Sequence, residues 1–244
     1  MKLKDTKEAE ELGRLLGVIA HEIKNPLSTI KVNLRLIDEE LADTAGQCKP
    51  PGLGDYGERL GRARRKLAII EKETTRLEQI LDGFLRYADR TQPKLAPVDL
   101  NVLAADLFDF YIPQAVRHSI TMRQCLDKVP LWCVADSGML KQAMLNLFIN
   151  AQQALAAGGE LMLRTGRRGG FAEIQVSDTG RGISPERLAH IFEPYQSSRP
   201  DGAGLGLATV KKIVDAHNGT ISVVSEPGKG TAFTICLPLC EGAT

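Results

Sequence analysis

Apolar residues in the first third of the chain recur at Leu12, Leu16, Ile19 and Ile23, then at Leu27, Ile30, Leu34, Ile37 and Leu41. Steps of three and four, averaging about 3.5, mark helices packed along a seam. The phase slips by one residue between Ile23 and Leu27, where Pro26 sits, and such a stutter locally unwinds a coiled coil. Pro26 also forgoes the hydrogen bond to the Glu22 carbonyl, which predicts a bend there. Asp43–Gly57 (DTAGQCKPPGLGDYG), with two prolines and four glycines, reads as a turn. A second run follows at Leu60, Ala63, Leu67, Ile70, Thr74, Leu77, Leu81, Phe84 and Ala88. Two long helices joined by a turn make an antiparallel hairpin, and each hairpin leaves one apolar stripe uncovered. Pairing two hairpins into a four-helix bundle covers both stripes, so a homodimer is expected.

The pattern changes around Thr91–Val98 (TQPKLAPV), which divides the chain into residues 1–92 and 93–244. At 244 residues the chain is long enough for two domains. Beyond the boundary, helices are expected at Leu100–Tyr111, Ser137–Ala157 (capped by Asp136) and Leu205–His217. Strands are expected at Ser119–Gln124, Leu131–Ala135, Glu160–Arg167, Phe171–Ser177, Thr220–Ser225 and Thr231–Leu237. Asp178–Gly204 reads as an irregular loop. The class is α+β: a helical hairpin, then an α/β sandwich with helices on one face of a mixed sheet.

Bulk properties exclude several classes. A net charge of +1 leaves no field that would hold nucleic acid. The cluster Arg62, Arg64, Arg65 and Lys66 reads as a solvated helix face. Five cysteines (Cys48, Cys125, Cys133, Cys236, Cys240) lack CxxC spacing, which suits reduced thiols better than disulfides or a zinc site. No run approaches the roughly 18 apolar residues of a membrane helix. Met1–Glu11 is charged and has no apolar core of a signal peptide. The expected location is the cytoplasm, with any membrane sensor lying upstream in a larger parent protein.

His21 lies two residues from each of the seam positions Ile19 and Ile23 and so points away from the bundle interior. An imidazole with a pKa of about 6.5 keeps one ring nitrogen free as a nucleophile near neutral pH. Asn25, four residues on, shares its face. Glu22 is about 100° around the helix and long enough to lean toward the ring. Taken alone, an exposed histidine is a solvated surface residue, but its neighbours alter that reading. His21-Glu22-Ile23-Lys24-Asn25-Pro26-Leu27 resembles the H-E-x-x-N-P-L histidine box of bacterial sensor histidine kinases. The resemblance implies that His21 accepts a phosphoryl group, that Glu22 serves as its base, and that Asn25 acts in transfer to, and dephosphorylation of, a response regulator.

Gln142, Asn146 and Asn150 are spaced by four along one helix face. Amide oxygens suit a hard cation such as Mg²⁺, although a polar helix face would look the same. Asp178-Thr179-Gly180-Arg181-Gly182-Ile183 follows a strand; an ionised carboxylate only accepts hydrogen bonds and suits an exocyclic amine. Gly202-Ala203-Gly204-Leu205-Gly206-Leu207 opens a helix whose amino-terminal amides form a phosphate site, in the wrong context for a dinucleotide fold. Gly228-Lys229-Gly230-Thr231 is a further glycine turn.

In order, these elements resemble the asparagine box and successive glycine boxes of the same kinases, whose ATP-binding fold also serves gyrase, heat-shock chaperone and mismatch-repair ATPases. Ile191-Phe192-Glu193-Pro194 resembles the phenylalanine box of the lid over ATP. By that resemblance Asp178 contacts the adenine amine, and Asn150, helped by Asn146, holds Mg²⁺ and the phosphates. The resemblance further implies that Gly180, Gly182, Gly204 and Gly206 shape the lid, that Leu205 belongs to the nucleotide-binding set, that Thr231 supports the adenine end, and that Arg199 reaches the γ-phosphate. Departures occur at Tyr195-Gln196, Ser197-Ser198-Arg199, Ala203 and Asn218. Hydrolysing relatives place a water-activating Glu four residues before the Mg²⁺-binding Asn. Here that place holds Asn146, which cannot act as a general base, so water attack is poorly supported and a nucleophile delivered from another domain stays open. The expected activity is ATP-dependent phosphorylation of His21 followed by transfer to a receiver-domain aspartate. A non-catalytic ATP-binding scaffold and an ATP-driven clamp are the competing classes.

Overall fold

The computed structural model describes residues 2–45, 53–88, 92–194 and 204–240. The chain forms two compact units, one holding the first two helices and the other all later elements.

In the first unit α1 (Lys2–Ala45) and α2 (Leu53–Ala88) pack on each other. The Lys66 ammonium, early in α2, donates to the carbonyl of Leu36, late in α1, at 3.1 Å, which fits antiparallel helices. Ile19 and Ile80 are buried between them. The helix is continuous through Pro26, whose side chain is buried. The glycine- and proline-rich stretch takes less of the chain than its composition implies. Helix persists to Ala45 and resumes at Leu53, because Gly54 and Gly57 stand in the first turns of α2, where glycine weakens a helix least.

In the second unit β1 (Ala96–Asp99) pairs antiparallel with β3 (Trp132–Ala135). The other strands, β2 (Ile120–Cys125), β4 (Gly159–Arg168), β5 (Phe171–Asp178), β6 (Thr220–Glu226) and β7 (Gly230–Pro238), form one sheet in the order β2-β4-β5-β7-β6. β2 and β4 run parallel and the remaining neighbours antiparallel, so the sheet is mixed. Residues of β5 alternate strictly: Ala172, Ile174, Val176 and Asp178 are buried, whereas Glu173, Gln175 and Ser177 are more open. That period of two presents one apolar face, and α3 (Leu100–Arg117), α4 (Ser137–Ala154) and α6 (Gly206–Ala216) cover it. The expected helical hairpin followed by an α/β unit with a mixed sheet is the fold observed.

Some elements differ in extent. β1 was not legible, since Pro97 argues against a strand, but a two-stranded edge tolerates it. α3 runs on through Pro113, which faces solvent, so the carbonyl that proline leaves unbonded can be hydrated. A single turn, α5 (Pro185–Leu188), interrupts the stretch read as loop. Asp136 caps α4, its carboxylate accepting from the Met139 N–H at 3.0 Å. Asn218 adopts φ of 55°, the left-handed conformation that asparagine tolerates. Among the described residues no helix is long and apolar enough to cross a membrane.

Leu147 is fully buried in the core of the second unit. Leu147→Ala therefore lowers the unfolding free energy by about 2–5 kcal/mol, measured by denaturant titration. A loss near zero would mean that the site collapses around the void.

Candidate functional site

The site residues expected from the sequence fall into two groups, one in each unit. On α1, His21 and Asn25 are exposed, while Ile19 is buried and Ile23 half-buried. The heptad seam thus turns inward and presents the imidazole to solvent. Glu22 is half-buried, and desolvation pushes its carboxyl pKa up, partly offset by the nearby Arg76 guanidinium and by His21. A carboxylate raised in this way is a stronger base.

Arg76 and its α2 neighbour Glu73 were not singled out from the sequence. They approach to 3.8 Å, with side chains 16% and 24% exposed in that pair taken as Glu73 and Arg76. Arg76 Nε and Glu73 Oε2 are buried without hydrogen-bond partners. Their three-residue spacing was visible, but the proximity of Arg76 to Glu22 depends on the register between antiparallel helices.

In the second unit α4 carries Asn146 and Asn150. Asn146 Nδ2 donates to the Gly206 carbonyl at 3.3 Å, bringing the asparagine face against the start of α6. Asn150 Nδ2 is buried with no partner, and a Cβ placed on Gly206 would lie 4.0 Å from it. The amino terminus of α6 has no side-chain cap. Gly204 takes φ of 63°, Leu205 is buried, and the Leu205 carbonyl accepts from the Thr209 N–H and hydroxyl at 2.9 and 2.8 Å. An uncapped helix start beside an orphaned amide donor is suited to an anion.

Asp178 closes β5 and is 8% exposed. Its Oδ1 accepts from the Gly180 N–H at 2.8 Å, and Thr231 is its cross-strand partner on β7. Burial pushes the carboxyl pKa above the ordinary 3.8, partly offset by the Gly180 and Thr231 N–H groups. A Cβ on Gly180 would come within 2.7 Å of both Ala154 Cβ and Asp178 Oδ1. Gly182 has φ of 68°, and a Cβ there would meet the Glu226 carbonyl at 2.1 Å. Close approach at the first position and conformation at the second therefore demand glycine.

Ser225, absent from the sequence expectations, helps to hold this loop. Its hydroxyl oxygen accepts from the Ile183 N–H at 2.9 Å, lies 2.9 Å from Thr231 Oγ1 and donates to the Gly230 carbonyl at 2.8 Å. A serine near a strand end carries no signal that could have found it. Within the second unit the Asn150 and Asp178 groups both abut α4: Asn150 sits one turn before Ala154, whose carbonyl accepts from the Arg181 N–H at 3.4 Å. Ile191 is buried and Phe192 meets Phe233 edge-on at a centroid distance of 6.3 Å. Arg199 lies outside the described residues, as do Tyr195, Gln196, Ser197, Ser198 and Ala203.

Asp178 generates a signed pH prediction. With its folded pKa raised, the protonated carboxyl is the form that burial tolerates, so its relative stabilisation is complete below the unfolded pKa and is lost as pH rises through the folded value. Asp178→Asn avoids burying a charge. The variant therefore melts above the wild type near neutral pH, and the gap closes as pH falls toward the ordinary 3.8. Parallel melting curves across that range would show that Asp178 is not desolvated.

Comparison with known proteins matches both units. Residues 11–93 match the His Kinase A (phospho-acceptor) domain, and residues 135–241 match the histidine kinase-, DNA gyrase B- and HSP90-like ATPase family. The sensor histidine kinase ZraS of Escherichia coli (strain K12) is 34% identical over 98% of this chain and 48% of its own length. Sporulation kinase D of Bacillus subtilis (strain 168) is 30% identical over 96% of this chain and 43% of its own. The chain thus spans about half the length of the curated relatives it matches. Full-length ShkA, crystallised with AMPPNP, superposes with a TM-score of 0.63 at 26% identity, over 90% of this chain and 47% of that one. Histidine kinase ThkA in complex with the response regulator TrrA shares the fold, with a TM-score of 0.71 at 23% identity over 96% of this chain and 64% of that one. With a phospho-acceptor domain and a histidine kinase-type ATPase domain matched in succession, the chain carries the two domains of a histidine kinase catalytic core.

Proposed function

We propose that this chain uses ATP to phosphorylate its own His21 and passes the phosphoryl group to an aspartate in the receiver domain of a response regulator. The observation that carries the reading is the solvent-facing His21 beside a half-buried, base-strengthened Glu22. Residues 1–92 would form the phosphotransfer hairpin and 93–244 the ATP-binding unit. A free imidazole nitrogen of His21 would attack the γ-phosphorus in line, with ADP leaving on the opposite side. Glu22 would accept the proton of the other ring nitrogen as positive charge develops, and Asn25 would orient the receiver's reacting groups.

In the ATP-binding unit the buried carboxylate of Asp178 would accept from the adenine amine, with Gly180, Gly182 and Thr231 shaping that end. Gly204, Leu205 and Gly206 would present α6 amides to the phosphates, and Arg199 would reach the γ-phosphate. Asn146 donates its amide N–H to the Gly206 carbonyl and Asn150 holds an unpartnered donor suited to phosphate, so the amide oxygens of these two residues are the groups that would hold Mg²⁺. Bound there, Mg²⁺ would neutralise phosphate charge. Asn146, having no basic group, would leave water unactivated, which favours transfer to protein over hydrolysis.

His21→Gln should bind an ATP analogue with Mg²⁺ as tightly as wild type, while acid-labile incorporation of labelled γ-phosphate falls to background. Label persisting in that variant would remove His21 from its assigned role.

The reading includes a homodimer formed through the hairpin. Leu27 and Leu34 are half-exposed one heptad apart on α1, as are Leu60, Leu67 and Leu81 at heptad multiples on α2. Such a stripe fits a second copy better than water. Combining Leu34→Glu with Leu67→Glu should convert the dimer to a monomer in sedimentation equilibrium. An unchanged dimer mass would place the interface elsewhere.

A further inference from the structure

Three connections meet at Asp136. Its Oδ1 accepts from the Met139 N–H at 3.0 Å and caps α4. Its Oδ2 accepts from the backbone N–H of Lys94 at 2.8 Å. Its own N–H donates to His217 Nε2 at 2.9 Å. His217 terminates α6 and is 4% exposed, and its Nδ1 lies 2.7 Å from the Ile213 carbonyl. A carbonyl only accepts, so the proton resides on Nδ1 and Nε2 offers its lone pair to Asp136. Turning the ring would leave buried polar groups unpaired, which is costly.

These bonds join the elements that carry the nucleotide residues. α4 bears Asn146 and Asn150, and α6 presents Gly206 at its amino terminus. The two helices are tied at both ends of their contact, by Asn146 to Gly206 and by Asp136 to His217. Lys94 belongs to the segment between α2, which ends at Ala88, and β1, which starts at Ala96. One residue therefore links the connecting segment, the cap of α4 and the end of α6.

We propose that Asp136 and His217 are positioning residues, through which the segment leaving the hairpin sets the spacing of α4 and α6 around the nucleotide phosphates. This inference rests on the reading of an ATP site between Asn146, Asn150 and the start of α6. Neither residue touches the nucleotide. Their effect passes through the angle between two helices, and bonding of Lys94 to Asp136 favours the arrangement that binds.

The test is a double-mutant cycle on the full chain, with Mg²⁺ and a non-hydrolysable ATP analogue followed by calorimetry. Lys94→Pro removes the backbone donor to Asp136 together with an exposed side chain, and Lys94→Ala, which keeps the N–H, controls for the side chain and should bind as wild type does. His217→Leu removes the acceptor. Lys94→Pro and His217→Leu should each weaken analogue binding about three- to tenfold, the worth of one hydrogen bond, and the double variant should bind no more weakly than His217→Leu alone. His217→Gln, which can both accept and donate, should recover most of the affinity, a rescue that general loosening of the fold would not give. Additive losses, or a Lys94→Pro chain that binds as wild type does, would overturn the coupling; if His217→Leu does not fold, the Lys94→Pro result decides alone. Wild-type chain that binds no analogue would instead overturn the ATP site itself, and the coupling with it.

Discussion

The rotation of α4 about its own axis is the constraint on which the catalytic unit depends. Leu140, Ala143, Met144, Leu147, Phe148 and Ala151 bury a continuous stripe against the sheet, and at roughly 25 cal/mol per Å² of apolar surface that burial is hard to undo. Once the stripe is docked, Asn146 and Asn150 face the start of α6, and the carboxy-terminal Ala154 backs the Asp178–Gly182 loop. Both ends of the proposed nucleotide site are thereby referred to one rigid helix. An unpartnered Asn150 amide is then the expected consequence of holding a polar group ready inside a packed structure.

The hairpin solves a different problem. Its interior is narrow, and a two-helix packing buries Ile19, Pro26 and Ile80 while leaving a half-exposed row of leucines. That arrangement keeps His21 accessible and places Glu22 where burial strengthens it as a base. The same packing puts Arg76 near Glu22 and buries the Glu73–Arg76 pair incompletely satisfied. The Arg76 charge acts on the ionisation of Glu22, which an apolar replacement would not do.

Asp178 shows the same trade in the other unit. Burying a carboxylate disfavours its ionised form, and only two backbone N–H groups offset that penalty. The Gly180–Gly182 loop, pinned by Ser225 and the Gly230–Thr231 end of β7, keeps the carboxylate from relaxing outward. In the proposed role of Asp178, stability is given up locally for a preorganised acceptor, as functional sites commonly do.

Much of this was readable in one dimension. The 3.5-residue period specified two packed helices, because burial of a helical stripe demands that spacing whatever the partner. His21, flanked by Ile19 and Ile23, had to face outward for the same reason, and Asp178, Asn146, Asn150 and the glycines of the nucleotide loops stood in recognisable order. β1 escaped notice because Pro97 hides its strand character until β3 supplies a partner. Ser225, Arg76 and Glu73 escaped because no local pattern distinguishes them from ordinary surface residues. Their roles, and the meeting of Lys94, Asp136 and His217, arise from contacts between residues far apart in the chain. Periodicity and local chemistry act within a turn or a strand, so the sequence determined the elements and the reactive groups on them. Register across the hairpin and the docking of α4 against α6 are set by long-range packing, and only the tertiary structure decided those.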